Sequence, residues 1–200
     1  MEDPGFAQIY NPGLLAELEA QFGPFAQQHV EHTAHTEVLQ RMVHKMANRP
    51  RYGEVVMVVP NEAGHIWLHT KQFYPQGVYR LLTGGLEGTE KPHQALAREV
   101  EEETGFKVTV DRCLAVITYT VHSGPLVRPF VSYVFLTTPG KGQPVAGDPN
   151  EPISDFRAVP PAELAVAAQR LRALDGDFAD WGRFRAVAHE AAWEQLQKVG

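Results

Sequence analysis

The chain has 200 residues, 18 of them basic and 24 acidic, a formal net charge of −6 at pH 7 and 44% hydrophobic residues. That length suits one domain with extensions, the negative balance argues against bulk nucleic-acid binding, and no apolar run approaches the ~20 residues of a membrane span. A single cysteine, Cys113, excludes an internal disulfide, and the acidic start MEDPGFAQIY lacks the apolar region of a signal peptide, so the expected location is a reducing cytoplasm.

Residues 1–10 read as an untied end. Asn11-Pro12 predicts a helix start, Asn as cap and Pro in the first helical position, with Leu14, Leu15 and Leu18 as its apolar face and Gly23-Pro24 as its stop. A second helix is predicted from about Phe25 to Met46, with Leu39, Met42, Val43 and Met46 as its stripe. It carries His29, His32 and His35 at three-residue spacing. Two of these could share a metal, but no Cys or further ligand accompanies them, and they read as solvated histidines on a polar face. The break at 48–51 closes a helical N-terminal extension, residues 1–51.

Gly53 to Pro60, GEVVMVVP, predicts a buried strand, and the turn at 61–64 predicts a hairpin with a return strand from His65 to Thr70. After the loop 73–77, Val78 to Leu82 predicts a short strand that feeds the stretch GGLEGTEKPHQALAREVEEETGF, Gly84 to Phe106. In it Glu99, Glu102 and Glu103 stand at i, i+3 and i+4, which on a helix stacks their carboxylates on one face. Like charges that close repel, so a cation is expected among them. Carboxylate oxygens without soft ligands suit a hard ion, Mg²⁺ or Mn²⁺, which completes its shell with water and phosphate oxygens. Thr89 is the expected helix cap and Gly105 the left-handed end.

Strands are predicted at 106–110, 113–120 and 129–137, followed by a Gly/Pro-rich loop at 138–152 and a last strand from Ile153 to Val159. Pro160-Pro161 opens a helix to about Leu171, facing inward with Leu164, Ala168 and Leu171. A final helix from about Phe178 to Leu196 has Trp181, Phe184, Ala188, Ala192 and Leu196 as its stripe. The division expected is an N-terminal extension 1–51, a catalytic domain 52–165 and a C-terminal helical segment 166–200 packing on it. A mixed sheet with one long helix in its middle and others at the ends reads as α/β or α+β.

The stretch from Gly84 to Phe106 resembles the Nudix box, G-x5-E-x7-R-E-U-x-E-E-x-G-U, at every fixed position. Gly84 is the first Gly, Glu90 follows, then Arg98-Glu99, Val100, Glu102-Glu103, Gly105 and Phe106. Such a match is far more specific than a lone glycine motif. The resemblance implies an α/β fold, a Nudix-type α/β/α sandwich with a mixed sheet plus helical N-terminal and C-terminal extensions. It implies Mg²⁺- or Mn²⁺-dependent hydrolysis of a nucleoside diphosphate linked to another moiety. Nucleotide sugars, ADP-ribose and normal or oxidised nucleoside triphosphates all fit that class. It further implies that Glu99, Glu102 and Glu103 hold the metal with help from Glu90, that Arg98 orients a box carboxylate, and that Gly84 and Gly85 shape the substrate site.

For substrate binding, Arg80, Lys71 and Arg128 are candidate phosphate cations, and Phe73, Tyr74, Tyr79 and Tyr119 candidate stacking rings. Core packing is the commoner role of such aromatics. Arg80 and Tyr79 are carried forward with the two glycines. The general base is Glu102, a metal-bound water, or an acid at the loop ahead of the last strand, where Asp148 and Glu151 stand in the loop and Asp155 just inside the strand. Glu151 is the expected one, since its side chain reaches furthest from near the anchoring strand. The substrate signatures of NADH and coenzyme A pyrophosphatases are missing, and the position sixteen after Gly105 is Val121 rather than the Pro of ADP-ribose hydrolases. Two further readings stand beside the hydrolase: a non-catalytic nucleotide-sensing module, and an isopentenyl diphosphate isomerase-like enzyme, which needs a reactive cysteine. The expected partner is a small nucleoside diphosphate-type substrate, with no nucleic acid and no membrane. The terminal helices can pack on their own domain or on a second copy, so a homodimer is compatible with the sequence.

Overall fold

The structure, a computed structural model, describes residues 3–48, 51–88, 90–146 and 152–198. Its helices are α1 (Pro4–Ile9), α2 (Pro12–Phe22), α3 (Glu37–Asn48), α4 (Pro92–Thr104), α5 (Glu163–Arg172) and α6 (Ala179–Leu196). Its strands are β1 (Ala26–Thr33), β2 (Gly53–Val58), β3 (Ile66–Lys71), β4 (Arg80–Gly85), β5 (Val110–Ser123), β6 (Leu126–Thr137) and β7 (Ile153–Val159). The strands form one mixed seven-stranded sheet in the order β1-β5-β6-β2-β4-β3-β7. Side chains alternate across a pleated strand, so each buried strand feeds two cores. Val55, Met57 and Val59 pack with Leu18, Leu96 and Val100 under α1, α2 and α4. Val56 and Val58 pack with Leu39, Val43, Leu164, Leu171 and Phe184 under α3, α5 and α6. The molecule is the expected α/β/α sandwich.

Several local expectations change. Residues 26–33 are a strand, not helix: β1 runs parallel to β5 from Ala26↔Ala115 to Thr33↔His122. This segment is polar apart from Ala26 and Val30, and the neighbouring strand supplies the hydrogen bonds that a weak helix would have had to supply itself. The next helix is started from outside, because the buried carboxylate of Asp180 accepts from the backbone of His35 and Thr36 and from the Thr36 hydroxyl. His29 and His32 therefore alternate on opposite sides of a strand rather than sharing a helix face. Residues 3–10 are tied down as well. Asp3 caps α1 through Gly5 N–H, the Tyr133 hydroxyl donates to the Ile9 carbonyl, and Phe6 and Ile9 pack on the core.

The β2–β3 hairpin exists only at its turn, where Asn61 N–H donates to the His65 carbonyl at 2.7 Å and Trp67 N–H to Val59 at 2.9 Å. Beyond that the strands part and β4 enters between them, antiparallel to both. The strand expected at 106–110 begins only at Val110, and β5 then runs unbroken to Ser123. Asn11, whose side chain accepts from Leu14 N–H at 3.0 Å, caps α2 as expected. Insertion of β4 beside β2 places Gly84 and Gly85 next to α4, and this juxtaposition makes the site.

Candidate active site

Helix α4 starts with Pro92 in its first position, where a missing N–H costs nothing, and Lys91 N–H donates to Gln94 Oε1 at 3.1 Å. The expected cap, Thr89, lies outside the described residues. Gly105 ends the helix at φ 72°, the left-handed conformation that favours glycine. Ala95, Leu96 and Val100 bury one face against the sheet. The adjoining side carries Arg98, Glu99 and Glu102, with Glu99 against Gly84 at the end of β4.

Arg98 is the hub. Its Nε and Nη2 reach Glu90 at 3.3 and 2.6 Å, its Nη1 reaches Glu99 at 2.9 Å and Glu102 at 3.1 Å, and its Nη2 also donates to the Gly85 carbonyl at 3.0 Å. A guanidinium has five N–H groups, and these contacts engage all of them. Burial disfavours the guanidinium charge, but the Glu90 hydrogen bond and the Glu99 charge outweigh it and raise the Arg98 pKa. Burial raises the Glu99 pKa, Arg98 opposes the rise, and the Glu102 charge adds to it. Glu90 also accepts from Glu87 N–H at 2.7 Å, which ties the loop before the helix to the cluster. Gly84 is required here by contact: a Cβ at this position would overlap Cγ and Cδ of Glu99.

The structure thus brings together Glu90, Arg98, Glu99, Glu102, Gly84 and Gly85. Glu103 is divided from them. Only 1% exposed, it turns to β3, with Lys71 Nζ 3.4 Å from Oε1 and His69 Nδ1 3.7 Å from Oε2. Burial, followed by the charges of Arg80 and Lys71, holds the His69 pKa well below its usual value, which keeps the ring neutral. Glu101 points away, 3.7 Å from Lys107 on the surface.

Arg80 and Tyr79 do not join the cluster. Arg80 is buried, donating to the Tyr74 hydroxyl at 2.8 Å, the Leu81 carbonyl at 2.8 Å and Thr83 Oγ1 at 3.0 Å. Tyr79 donates to Asp155 and lies under the Arg157 guanidinium, 4.0 Å from the ring centroid. Arg128 stacks over Tyr52 and pairs with Asp3, and Tyr119 is core. Glu151 and Asp148 lie outside the described residues.

Two features escaped the sequence reading. Glu54 and Arg185 form a buried ion pair at 2.8 Å, with Ser132 also donating to Glu54 at 3.0 Å. A lone acid inside the apolar run GEVVMVVP was the available signal, because a buried charge needs a partner. Arg51 is the second, with its guanidinium set against the Cα of Gly85.

Among the described residues no group of three or more His, Cys, Asp or Glu is placed so as to hold a metal ion. The donor chemistry nevertheless fits a hard divalent cation. Glu99 and Glu102 each offer an oxygen to one and the same Arg98 nitrogen, with Glu90 beside them and no thiol or imidazole in that group.

The site is therefore a carboxylate-rich helix packed on a glycine strand end, in a mixed sheet between two helical layers. The NUDIX domain matches residues 50–182, and the chain belongs to the Nudix hydrolase family. It is similar in fold to the crystal structure of a UDP-X diphosphatase, with a TM-score of 0.50 and 19% identity over 94% of this chain and 79% of that one. The MutT protein of Methanosarcina mazei Go1 gives 0.48 and 15% identity over 74% and 94%; an ADP-ribose pyrophosphatase of Streptococcus suis 89-1591 gives 0.43 and 15% over 72% and 91%. No protein of curated function matches the chain.

Proposed function

We propose that this protein is a divalent-metal-dependent hydrolase that cleaves the pyrophosphate bond of a nucleoside diphosphate linked to another moiety. The observation that carries this reading is the complete box, folded so that Glu90, Glu99 and Glu102 converge on Arg98 beside the glycine end of β4. Glu99 and Glu102, supported by Glu90, would hold Mg²⁺ or Mn²⁺, and Glu103 would join them by turning from Lys71 and His69 toward the ion. When bound, the metal supplies charge neutralisation at phosphate oxygens and acidifies a water. Arg98 orients the carboxylates and is fully used in doing so. Glu151, or Glu102 in its place, takes the proton of the attacking water. Gly84 and Gly85 shape the substrate site by admitting Glu99 and Arg51 against the strand end.

The isomerase-like reading loses its nucleophile. Cys113 is buried, and burial pushes its thiol up to about 12. The sensor reading is tested together with the enzyme. Release of phosphate-containing product is followed with ADP-ribose, normal and oxidised nucleoside triphosphates, dinucleoside polyphosphates, nucleotide sugars and NADH, in Mg²⁺ or on metal-stripped protein in excess chelator. Turnover in Mg²⁺ that vanishes in chelator supports the hydrolase. Binding without turnover of any compound favours the sensor, and full turnover in chelator overturns the metal role. No described helix is long and apolar enough to cross a membrane.

A further inference from the structure

We propose that Arg51 is the substrate-facing cation of this site, binding non-bridging oxygens of the diphosphate. The inference rests on the diphosphate-hydrolase reading above, and it starts from a charge problem. A diphosphate approaching Glu90, Glu99 and Glu102 meets like charge, and a divalent ion alone leaves the outer phosphate oxygens without protein donors. The cations near the site are already engaged. All five Arg98 N–H groups are used by carboxylates and the Gly85 carbonyl. Lys71 stands 3.4 Å from Glu103. Arg80 is buried against Tyr74, Leu81 and Thr83, and Arg128 is paired with Asp3.

Arg51 differs from these. It is exposed, and among the described residues its side chain makes no hydrogen bond or ion pair. Its backbone N–H donates to the Met46 carbonyl at 3.4 Å, which links it to the end of α3. Its guanidinium is seated on Gly85: a Cβ there would lie 2.5 Å from Cζ, 2.6 Å from Nη2 and 2.7 Å from Nε. The Gly85 peptide thus carries Arg98 on its carbonyl and Arg51 on its Cα. The missing side chain at 85 is what admits the second arginine at the end of β4, on the strand face opposite Gly84 and Glu99. The Arg51 charge also acts on Glu99, opposing the burial that raises its pKa. A planar guanidinium with free parallel N–H groups matches two phosphate oxygens better than a point charge does.

The test uses the full chain and calorimetric binding of inorganic pyrophosphate and of ADP, each with Mg²⁺, to wild type, Arg51→Ala, Arg51→Lys and Gly85→Ala. Arg51→Ala is expected to weaken both ligands by about tenfold or more, and Arg51→Lys by less, because lysine keeps the charge without the fork. Gly85→Ala is expected to resemble Arg51→Ala, since the new Cβ takes the guanidinium's seat. Binding of Mn²⁺ alone should be unchanged or tighter in Arg51→Ala, which separates loss of substrate contact from damage to the carboxylates. Where turnover is measurable, Arg51→Ala raises KM far more than it lowers kcat. Equal affinity of wild type and Arg51→Ala for pyrophosphate and ADP overturns the proposal, as does a wild type that binds neither. Arg51-dependent ADP binding by a chain that hydrolyses no compound of the panel supports this proposal and overturns the hydrolase reading.

Discussion

Gly84 shows how narrow the tolerance of the site is. Its φ is not in the left-handed region, so the demand for glycine comes from Glu99 alone, whose side chain crosses the space a Cβ would fill. Gly84→Ala should displace Glu99, lower kcat by about 10²-fold and weaken Mn²⁺ binding. Steady-state kinetics with Mn²⁺ titration checks both. Glu102→Gln, which removes charge without changing size, should likewise lower kcat by ~10²-fold or more. Glu101→Gln should leave it near wild type, because Glu101 faces Lys107 and solvent. Equal losses at 101 and 102, measured side by side on one substrate, would show that the functional face of α4 is misassigned.

At the scale of elements, α6 is held to the sheet by polar groups as much as by its aromatic stripe. Leu81 N–H donates to His189 Nε2 at 2.8 Å, and His189 Nδ1 donates to the Arg185 carbonyl at 2.9 Å. This pattern requires the neutral ring. Burial, with Arg80 and Arg185 adding repulsion, brings the His189 pKa down to about 3. Between the ordinary histidine value near 6.5 and about 3, the unfolded chain binds a proton that the folded one refuses. Stability from this group is therefore complete above pH ~6.5 and declines as pH falls, by up to ~1.4 kcal/mol per pH unit. Urea unfolding from pH 7.5 to 4.5 should show the decline in wild type and a shallower one in His189→Gln. The same helix supplies Arg185 to Glu54. Arg185→Met strands a buried carboxylate and should cost about 3–5 kcal/mol, while Glu54→Leu/Arg185→Met should cost less than the single change.

At the scale of the whole molecule, the described segments on both sides of the NUDIX match pack into the sandwich. β1 closes one side of the sheet on β5, and α2 and α3 each cover a core with Leu18, Leu39 and Val43. The NUDIX match stops at residue 182, before Phe184, Val187, Ala188 and Ala192 of α6, all buried. A chain limited to residues 50–182 would leave that apolar surface and the β5 edge open to water. It should be unfolded or aggregated, by circular dichroism and size-exclusion chromatography, where the full chain is folded. A folded, soluble 50–182 fragment would mean that the terminal segments are appendages after all.

The box was legible in the sequence because its chemistry is local: thirteen residues of one helix and the glycines just ahead of it carry their spacing with them. The largely apolar strand 53–58 and the inward residues of α5 and α6 were legible for the same reason, since their pattern is written along the chain. What depended on distant partners was not. The polar segment 26–33 became a strand because β5 lay beside it, and α3 started where Asp180, more than a hundred residues away, could cap it. β4 separated β2 from β3 because pairing along two buried strands outweighed a hairpin beyond its turn. Glu103 meets Lys71 and His69 rather than Arg98 because a helix position specifies a face, while the cation opposite that face belongs to another strand. Arg51 reached the box only through the bare Cα of Gly85, a contact that neither residue's neighbours in sequence announce.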